Sequence, residues 1–197
     1  MTTARSARVT TLLEAAITIV AAGGLRGLTH RAIDTGAGVP PGSTSYYFRT
    51  RQALLQGLME YIAEQEQHDI DRAAVSPELA GAPMRTQAAD LVAGILAHWV
   101  GPMRERTRVR VEMRLVATEQ PELREAIDGL RARFVESSRQ VLALAGSPAT
   151  DANTYLVYGL LEGLTYDGVT RPATETPTRQ ALRQTLETVL RPEREQS

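Results

Sequence analysis

Apolar residues recur at intervals of three and four positions along most of this chain, and glycine or proline residues separate one such segment from the next. This spacing places the apolar side chains on one face of an α-helix. Because such a face must be buried against another element, and no segment is a confident strand, the pattern predicts an all-α protein of about nine helices. The first stripe consists of Val9, Leu12, Leu13, Ala16, Ile17 and Val20.

Capping residues divide the N-terminal region into four predicted helices. Gly23 ends the first helix, and Thr29 is an expected N-cap of a short second helix. Pro40 and Pro41 are expected in the first turn of a third helix, where the missing N–H groups have no intrahelical partners anyway. Thr50 is expected to cap a long fourth helix.

The rest of the chain predicts five further helices. The first carries a stripe from Met84 to Trp99, and the second is the charged segment "RERTRVRVEMRLVATE", whose alternation between residues 109 and 115 also fits a strand. Pro121 is expected in the first turn of the next helix. Asp151 is expected to cap the eighth helix. Thr176, together with the proline that follows it, is expected to cap the ninth helix.

The charges of the chain are unevenly distributed, although its formal net charge is only −1. Residues 1–55 hold six arginines against Glu14 and Asp34, a balance of +4, and the remaining residues have a balance of −5. This asymmetry indicates a basic N-terminal contact module on an acidic body.

The composition excludes several classes of site. Cysteine is absent, so the chain has no disulfide, zinc–cysteine site or thiol nucleophile. Glu14 interrupts the apolar N-terminal segment, which is therefore not a signal peptide, and no apolar run is long enough to span a membrane. We therefore expect a soluble cytoplasmic protein with no membrane partner.

Two rival functions have little support in the residues. An enzyme would need a catalytic or metal motif, and the one candidate is Glu60, Glu64 and His68, which share a helical face at four-residue spacing. A solvated face of an amphipathic helix explains these residues better. A helical adaptor that binds only protein leaves the basic N-terminal module unexplained. We therefore predict no catalytic activity, no cofactor and no metal.

Residues from about Val9 to Leu58 resemble the DNA-binding domain of the tetracycline-repressor (TetR) family of bacterial transcription regulators. The matching segments are "LLEAAITIVAAGGLRGLTHRAID" and "AGVPPGSTSYYFRTRQALL". The resemblance implies a helix-turn-helix DNA-binding domain in residues 1–52 and a helical ligand-binding and dimerisation domain in residues 53–197. It also implies a homodimeric regulator, most often a repressor, that binds a palindromic double-stranded DNA operator and is released by a small-molecule effector.

The resemblance assigns DNA-contact roles to residues of the second, third and fourth helices. The start of helix two would contact phosphates, and the start of helix three would face base edges. Two tyrosines would lie between the core and the DNA backbone, and Arg51 would bind a phosphate. Since serine and threonine pair with several bases, direct readout of sequence is expected to be modest. The ten residues are Thr29, His30, Arg31, Pro41, Ser43, Thr44, Ser45, Tyr46, Tyr47 and Arg51.

The C-terminal region is expected to supply the dimer face and an apolar ligand pocket. Two glycines on one helical face permit close approach of a second helix. The expected dimer residues are Leu130, Phe134, Val141, Gly159 and Gly163. The expected pocket residues are Trp99, Met103, Met113, Tyr155, Tyr158 and Tyr166.

Overall fold

All regular structure in the described residues, which are 6–74, 83–118 and 121–190 of a computed structural model, is helical. This confirms the all-α prediction, including the helical alternative for the charged segment after residue 103. Short 3₁₀ turns occupy Leu25–Gly27 and Ala173–Glu175. The helices are α1 (Ala7–Gly23), α2 (His30–Gly36), α3 (Ser43–Tyr47), α4 (Arg51–Ala74), α5 (Met84–Val100), α6 (Arg104–Val116), α7 (Pro121–Leu144), α8 (Asp151–Thr170) and α9 (Arg179–Val189).

Threonine side chains start several of these helices. The Thr29 hydroxyl accepts a hydrogen bond from the Ala32 N–H at 3.1 Å, and the Thr50 hydroxyl accepts one from the Ala53 N–H at 3.0 Å. Both predicted N-caps are therefore confirmed. The last two caps are not where we expected them, because Thr150 caps α8 and Thr178 caps α9.

The start of α3 differs from the prediction. Pro40 and Pro41 precede the helix instead of forming its first turn, and Gly42 is its N-cap. Gly42 has a φ of 92°, a left-handed conformation that a helix cannot continue through and that glycine adopts without a steric cost. The prolines therefore form a turn, in which the Pro40 carbonyl accepts a hydrogen bond from the Ser43 N–H at 3.2 Å.

The chain divides into two compact units, and the first contains the described residues up to Gln65 together with Glu105–Asp128. In this unit α1 packs against α2, and α2 packs against α3. Phe48 and Leu54 are buried in this unit. The other fully enclosed apolar side chains include Leu12, Leu13, Leu28, Ile33, Leu58 and Ile62.

The second unit contains the described residues from Glu66 to Arg104 and from Gly129 onward. Helix α5 is at its centre and packs against both α8 and α9. Small residues on α5 allow this close packing, since Ala88, Ala89 and Ala93 belong to the same buried cluster as Leu182 and Leu186 of α9. In the described part of the chain, the helices are too short or too polar to cross a bilayer.

This division does not follow the predicted boundary after residue 52. Residues 53–65 of α4 and residues 105–128 belong to the first unit. The aromatic ring of Phe48 lies so close to Gly57 that a Cβ atom there would be 2.5 Å from it. The start of α4 is therefore packed into the first unit, and the place where a helix begins does not mark the edge of a core.

We predict that Gly168→Ala on α8 destabilises the protein. An added Cβ atom would lie 2.6 Å from Cγ1 of Val100, and valine has little rotamer freedom with which to move away. We expect the free energy of unfolding to fall by about 1–3 kcal/mol, despite the better helix propensity of alanine. Urea unfolding followed by circular dichroism at fixed protein concentration measures this.

Gly129→Ala is the matched control for this substitution. A Cβ atom at Gly129 on α7 meets nothing within 4 Å, so only helix propensity acts, and we expect stabilisation by up to about 1 kcal/mol. Equal shifts in the two variants would contradict the packing of Gly168 against Val100.

Candidate nucleic-acid interface and ligand cavity

A buried carboxylate joins the two short helices of the first unit. Asp34 lies in α2, and one of its oxygens accepts hydrogen bonds from the N–H of Thr44 at 2.8 Å and from the Thr44 hydroxyl at 2.6 Å. The other oxygen accepts a hydrogen bond from the N–H of Gly42 at 2.7 Å. Because a buried carboxylate is costly unless its oxygens are hydrogen-bonded, these donors hold the start of α3 against α2.

The pKa of Asp34 reflects two opposing effects. Burial, the largest single influence, raises it, but the hydrogen bonds from Thr44 and Gly42 and the charge of His30 together lower the pKa below its ordinary value. The ionised form of Asp34 is therefore favoured in the folded protein. Ionised Asp34 stabilises the folded protein at pH values above the pKa that it has in the unfolded chain, near 4. This stabilisation is lost as the pH falls through the lower pKa that Asp34 has in the folded protein.

Two predicted DNA-contact residues donate to backbone carbonyls inside the first unit. The guanidinium of Arg51 donates to the carbonyl oxygens of Leu28 and Leu25, both at 2.7 Å. The Nε2 of His30 donates to the carbonyl oxygen of Phe48 at 2.6 Å. Two of the Arg51 donors thus hold the turn between α1 and α2, but the residue is exposed, and its contact with a DNA phosphate stays a prediction.

The prediction that Thr44 contacts DNA needs correction. Its side chain is 0% exposed, and its hydroxyl is engaged with Asp34, so it does not belong to the surface that α3 presents to solvent. The sequence analysis missed Asp34, which it considered only as a charge. An acidic residue in a basic segment, ten positions before a threonine, gave no local signal of this contact.

The remaining predicted DNA-contact residues lie at or near the surface. Tyr46 is 78% exposed and Tyr47 is 41% exposed, so neither is buried in the core. Their rings meet edge to face with centroids 5.0 Å apart. The hydroxyls of Ser43 and Ser45 donate to the carbonyls of Pro40 and Gly42, which leaves their oxygens as acceptors. Arg31, Pro41 and Thr29 are exposed.

The sequence analysis also missed Glu112 of α6. Its carboxylate accepts a hydrogen bond from the N–H of Leu25 at 2.9 Å. Leu25 is the first residue of the 3₁₀ turn, and its carbonyl accepts a hydrogen bond from Arg51. The turn between α1 and α2 is thus held by a charged side chain of each sign.

The second unit contains a cavity of about 290 Å³. Helices α4, α5, α7 and α8 line it, mainly with apolar and aromatic side chains. Trp99 and Phe134 lie on its wall with ring centroids 5.6 Å apart, and Tyr158 is also a lining residue. Such a lining, with a few polar groups among apolar ones, is typical of small-molecule sites.

The cavity contains two of the six predicted pocket residues, Trp99 and Tyr158. Tyr155 and Tyr166 do not line it, because they lie on the outer face of α8, where they are 61% and 54% exposed. Met113 is buried in the first unit, and Met103 lies in the turn after α5. The polar lining residues that the sequence analysis missed are Ser137, Ser138, Gln140, Glu162 and Thr165.

The predicted dimer residues fall into two groups. Leu130 is buried, and Phe134 and Val141 line the cavity, so these three side chains point into the subunit. Gly159 and Gly163 lie on the exposed face of α8, and a Cβ atom at either would meet nothing within 4 Å. Among these five residues, the two glycines are the exposed ones.

No group of three or more metal-ligating side chains comes together within the described ranges. Glu60 accepts a hydrogen bond from Gln56, one turn earlier on α4, at 3.2 Å.

A family model described as the tetracyclin repressor-like C-terminal domain matches residues 83–192, which are more than half of the chain. The chain belongs to the tetracycline-repressor (TetR) family. The match lies outside residues 9–58, on which the resemblance was based, so the two ends of the chain support the same assignment independently. Members of this family are transcriptional regulators. None of the curated proteins matches the chain in sequence.

Solved structures share the fold of this TetR-family chain over nearly its whole length. A TetR-family member from Streptomyces coelicolor A3 has a TM-score of 0.72 and 24% identity, covering 93% of this chain and 98% of its own. A transcriptional regulator from Rhodococcus sp. Rha1 has a TM-score of 0.73 and 19% identity, and the match covers 92% of this chain and 93% of the regulator. The multidrug binding protein EbrR, complexed with ethidium, has a TM-score of 0.65 and 26% identity, and the match covers 94% of this chain and 99% of EbrR.

We predict that Asp34→Asn destabilises the first unit at neutral pH. The asparagine side chain keeps one acceptor oxygen but replaces the other with an NH₂ group, which would face a backbone N–H. At least one buried donor would therefore lose its partner. We expect the free energy of unfolding to fall by about 1–3 kcal/mol. The difference from the unmodified protein should shrink as the pH falls from the unfolded pKa, near 4, through the lowered pKa of Asp34 in the folded protein.

Urea unfolding of both proteins across this pH range measures the effect. Asp128→Asn, on the exposed surface of α7, is the matched control and should leave the unfolding midpoint nearly unchanged. A difference that persists unaltered at low pH would contradict the role of the Asp34 charge.

Proposed function

We propose that this chain is a homodimeric transcriptional repressor that binds a palindromic operator and leaves it when a small molecule fills the cavity. The observation that carries the proposal is the Asp34 contact, which fixes α3 against α2 with Ser45 and Tyr46 on the outside. A rigid pair of short helices with one exposed face is what insertion of a recognition helix into the major groove requires. We propose no catalytic activity.

The proposed DNA contacts are a revised set. Arg31 and Thr29, at the start of α2, would contact phosphates. Pro41, Ser43, Ser45, Tyr46 and Tyr47 would face the groove and its edges, with His30 beside them. Thr44 leaves the set, because it is buried and holds α3 against α2. Arg51, which is exposed, would contact a phosphate in addition to holding the turn before α2. Since the serine oxygens accept from several bases and no Arg, Asn or Gln lies on α3, we propose that DNA shape supplies much of the specificity.

We propose a second copy of this chain as the partner of the outer face of α8. Tyr155, Leu156 and Tyr166 are large side chains more than half exposed, and they share this face with Gly159 and Gly163. Exposed apolar residues grouped in this way are typical of an interface. A two-fold axis is also what a palindromic operator requires, because two recognition helices must reach half-sites about 34–36 Å apart or a multiple of this.

We propose that the cavity binds the effector. EbrR, which shares the fold, has been solved with imidazole, ethidium and malachite green, and this supports a small-molecule ligand for the corresponding unit here. Release of DNA requires that the ligand bind more tightly to the conformation that misfits the operator, because equal affinity for both conformations shifts no population.

We predict that the unmodified protein binds DNA from its own promoter region with a steep salt dependence, and that Arg31→Ala weakens this binding. Loss of one phosphate contact should reduce the slope of log K against log salt by about one, for all sequences alike. Fluorescence anisotropy with a labelled duplex at several salt concentrations measures both quantities.

Arg133→Ala, which removes an exposed arginine of α7 in the second unit, is the matched control and should leave the slope unchanged. No binding of the promoter DNA even at low salt would refute the regulator function.

We predict that Gly159→Glu converts the protein from dimer to monomer. Two glutamates would be brought together across the proposed two-fold axis, where the present residue has no side chain and where charges are costly to bury. Sedimentation equilibrium at micromolar concentration measures the change. Gly129→Glu, at an open position of α7, should remain dimeric, and a Gly159→Glu protein that is still a dimer would place the interface elsewhere.

A further inference from the structure

The wall of the cavity in the second unit is mainly apolar. Ten of its sixteen described lining residues are apolar, and eight of these ten are leucine, isoleucine or valine. The other two are Trp99 and Phe134. Because removing apolar surface from water is favourable, the main gain in free energy on binding comes from the apolar part of a ligand.

Several polar groups on this wall already use their hydrogens inside the protein. The hydroxyls of Ser138 and Thr165 each donate, at 2.8 Å, to the carbonyl four residues earlier in their own helix. The side-chain amide of Gln140 donates to Glu136 at 3.4 Å. Ser137 also lines the cavity, and a serine hydroxyl can donate or accept one hydrogen bond from a neutral polar group. The wall therefore suits a ligand with little polar surface.

The carboxylate on the cavity wall is already engaged within the protein. Glu162 of α8 is a lining residue, and it interacts with another group of the chain. A cationic ligand must therefore compete with that interaction, and an anionic ligand is repelled by the carboxylate. In both cases an ion leaves water for a mainly apolar wall, which costs free energy unless the ion is paired and hydrogen-bonded. The wall thus favours uncharged ligands over charged ones.

The indole ring of Trp99 is held in a fixed orientation on this wall. Its N–H donates to the buried carboxylate of Asp69 at 3.1 Å, and Asp69 also accepts a hydrogen bond from Arg72 at 2.8 Å. The ring itself lies beside that of Phe134, with centroids 5.6 Å apart. Aromatic rings attract one another in stacked or edge-to-face arrangements beyond the effect of buried area. A ring fixed by its polar edge is therefore a platform for an aromatic ligand.

We propose that the cavity binds an uncharged, mainly apolar compound whose aromatic ring packs on the indole of Trp99. A cavity of about 290 Å³ limits it to a small compound. This inference deepens the proposed function, and rests on it for the statement that the ligand is the effector. The ligand preference itself is independent of DNA binding.

Four probes of similar size test the proposal on the full-length protein. Phenylbutanol is neutral, phenylbutylamine is a cation and phenylbutanoate is an anion at neutral pH, while cyclohexylbutanol is neutral but has no aromatic ring. Isothermal titration calorimetry measures the four affinities. Trp99 is the only tryptophan of the chain, so its fluorescence reports independently on binding at the cavity wall.

The first comparison tests the charge of the ligand. We expect phenylbutanol to bind about tenfold or more tightly than either ion, because each ion loses hydration that the wall does not replace. An ion that binds as tightly as the alcohol, or no binding of phenylbutanol at millimolar concentration, would overturn the proposal.

The second comparison tests the aromatic ring. We expect phenylbutanol to bind about threefold or more tightly than cyclohexylbutanol, the effect of one ring–ring contact. The hydrophobic effect alone does not produce this order, since the saturated ring has at least as much apolar surface to bury. Equal affinities, or tighter binding of the cyclohexyl probe, would overturn the role of the ring.

Trp99→Leu is the variant that isolates the platform. We expect the two alcohols to bind it with affinities within about twofold of each other, because the ring that distinguishes them is gone. Both probes are measured on the same variant, so a general change of cavity size affects them alike. A phenyl advantage that persists unchanged would overturn the assignment of the ligand ring to Trp99. The ranking on the unmodified protein does not depend on how this variant folds.

A DNA-release assay separates the two levels of the inference. Preference for phenylbutanol without release of promoter DNA supports the ligand class and contradicts the effector role. Release of DNA by the amine or the carboxylate, with no effect of phenylbutanol, supports the proposed function and overturns the ligand class.

Discussion

The orientation of the DNA-binding helices depends on one buried carboxylate. Asp34 can remain ionised in the interior only because Gly42 and Thr44 direct three donors at it. These donors are available because Gly42 turns the chain into a left-handed conformation just before α3. The same geometry turns Thr44 inward and leaves Tyr46 outside. The surface that α3 exposes is thus a consequence of how a buried charge is hydrogen-bonded.

The second unit contains a comparable arrangement beside its cavity. Asp69 of α4 is buried and accepts hydrogen bonds from the indole N–H of Trp99 at 3.1 Å and from Arg72 at 2.8 Å. The indole is therefore held by its polar edge while its ring forms part of the cavity wall. In each unit, a carboxylate that must be satisfied sets the orientation of a side chain or helix that the proposed function uses.

Local signals predicted much of the fold. Thr29 and Thr50 cap helices as expected, because a cap requires only the residue and the three that follow it. The apolar stripe of α1 is buried for a similarly local reason, since three- and four-residue spacing fixes one face of a helix. The prediction for the prolines before α3 was wrong because the left-handed conformation of Gly42 decides where that helix starts, and the contact that goes with it is to Asp34, eight residues earlier.

The roles of individual site residues required the packed structure. The sequence alone establishes a TetR-like helical protein with a basic N-terminal module, because periodicity, caps and charge are properties of short segments. It cannot distinguish Tyr158, which faces the cavity, from Tyr155, which faces solvent, or a phosphate clamp from the internal contacts of Arg51. Those differences depend on which helices lie opposite each face, and contacts between residues distant in the chain determine that.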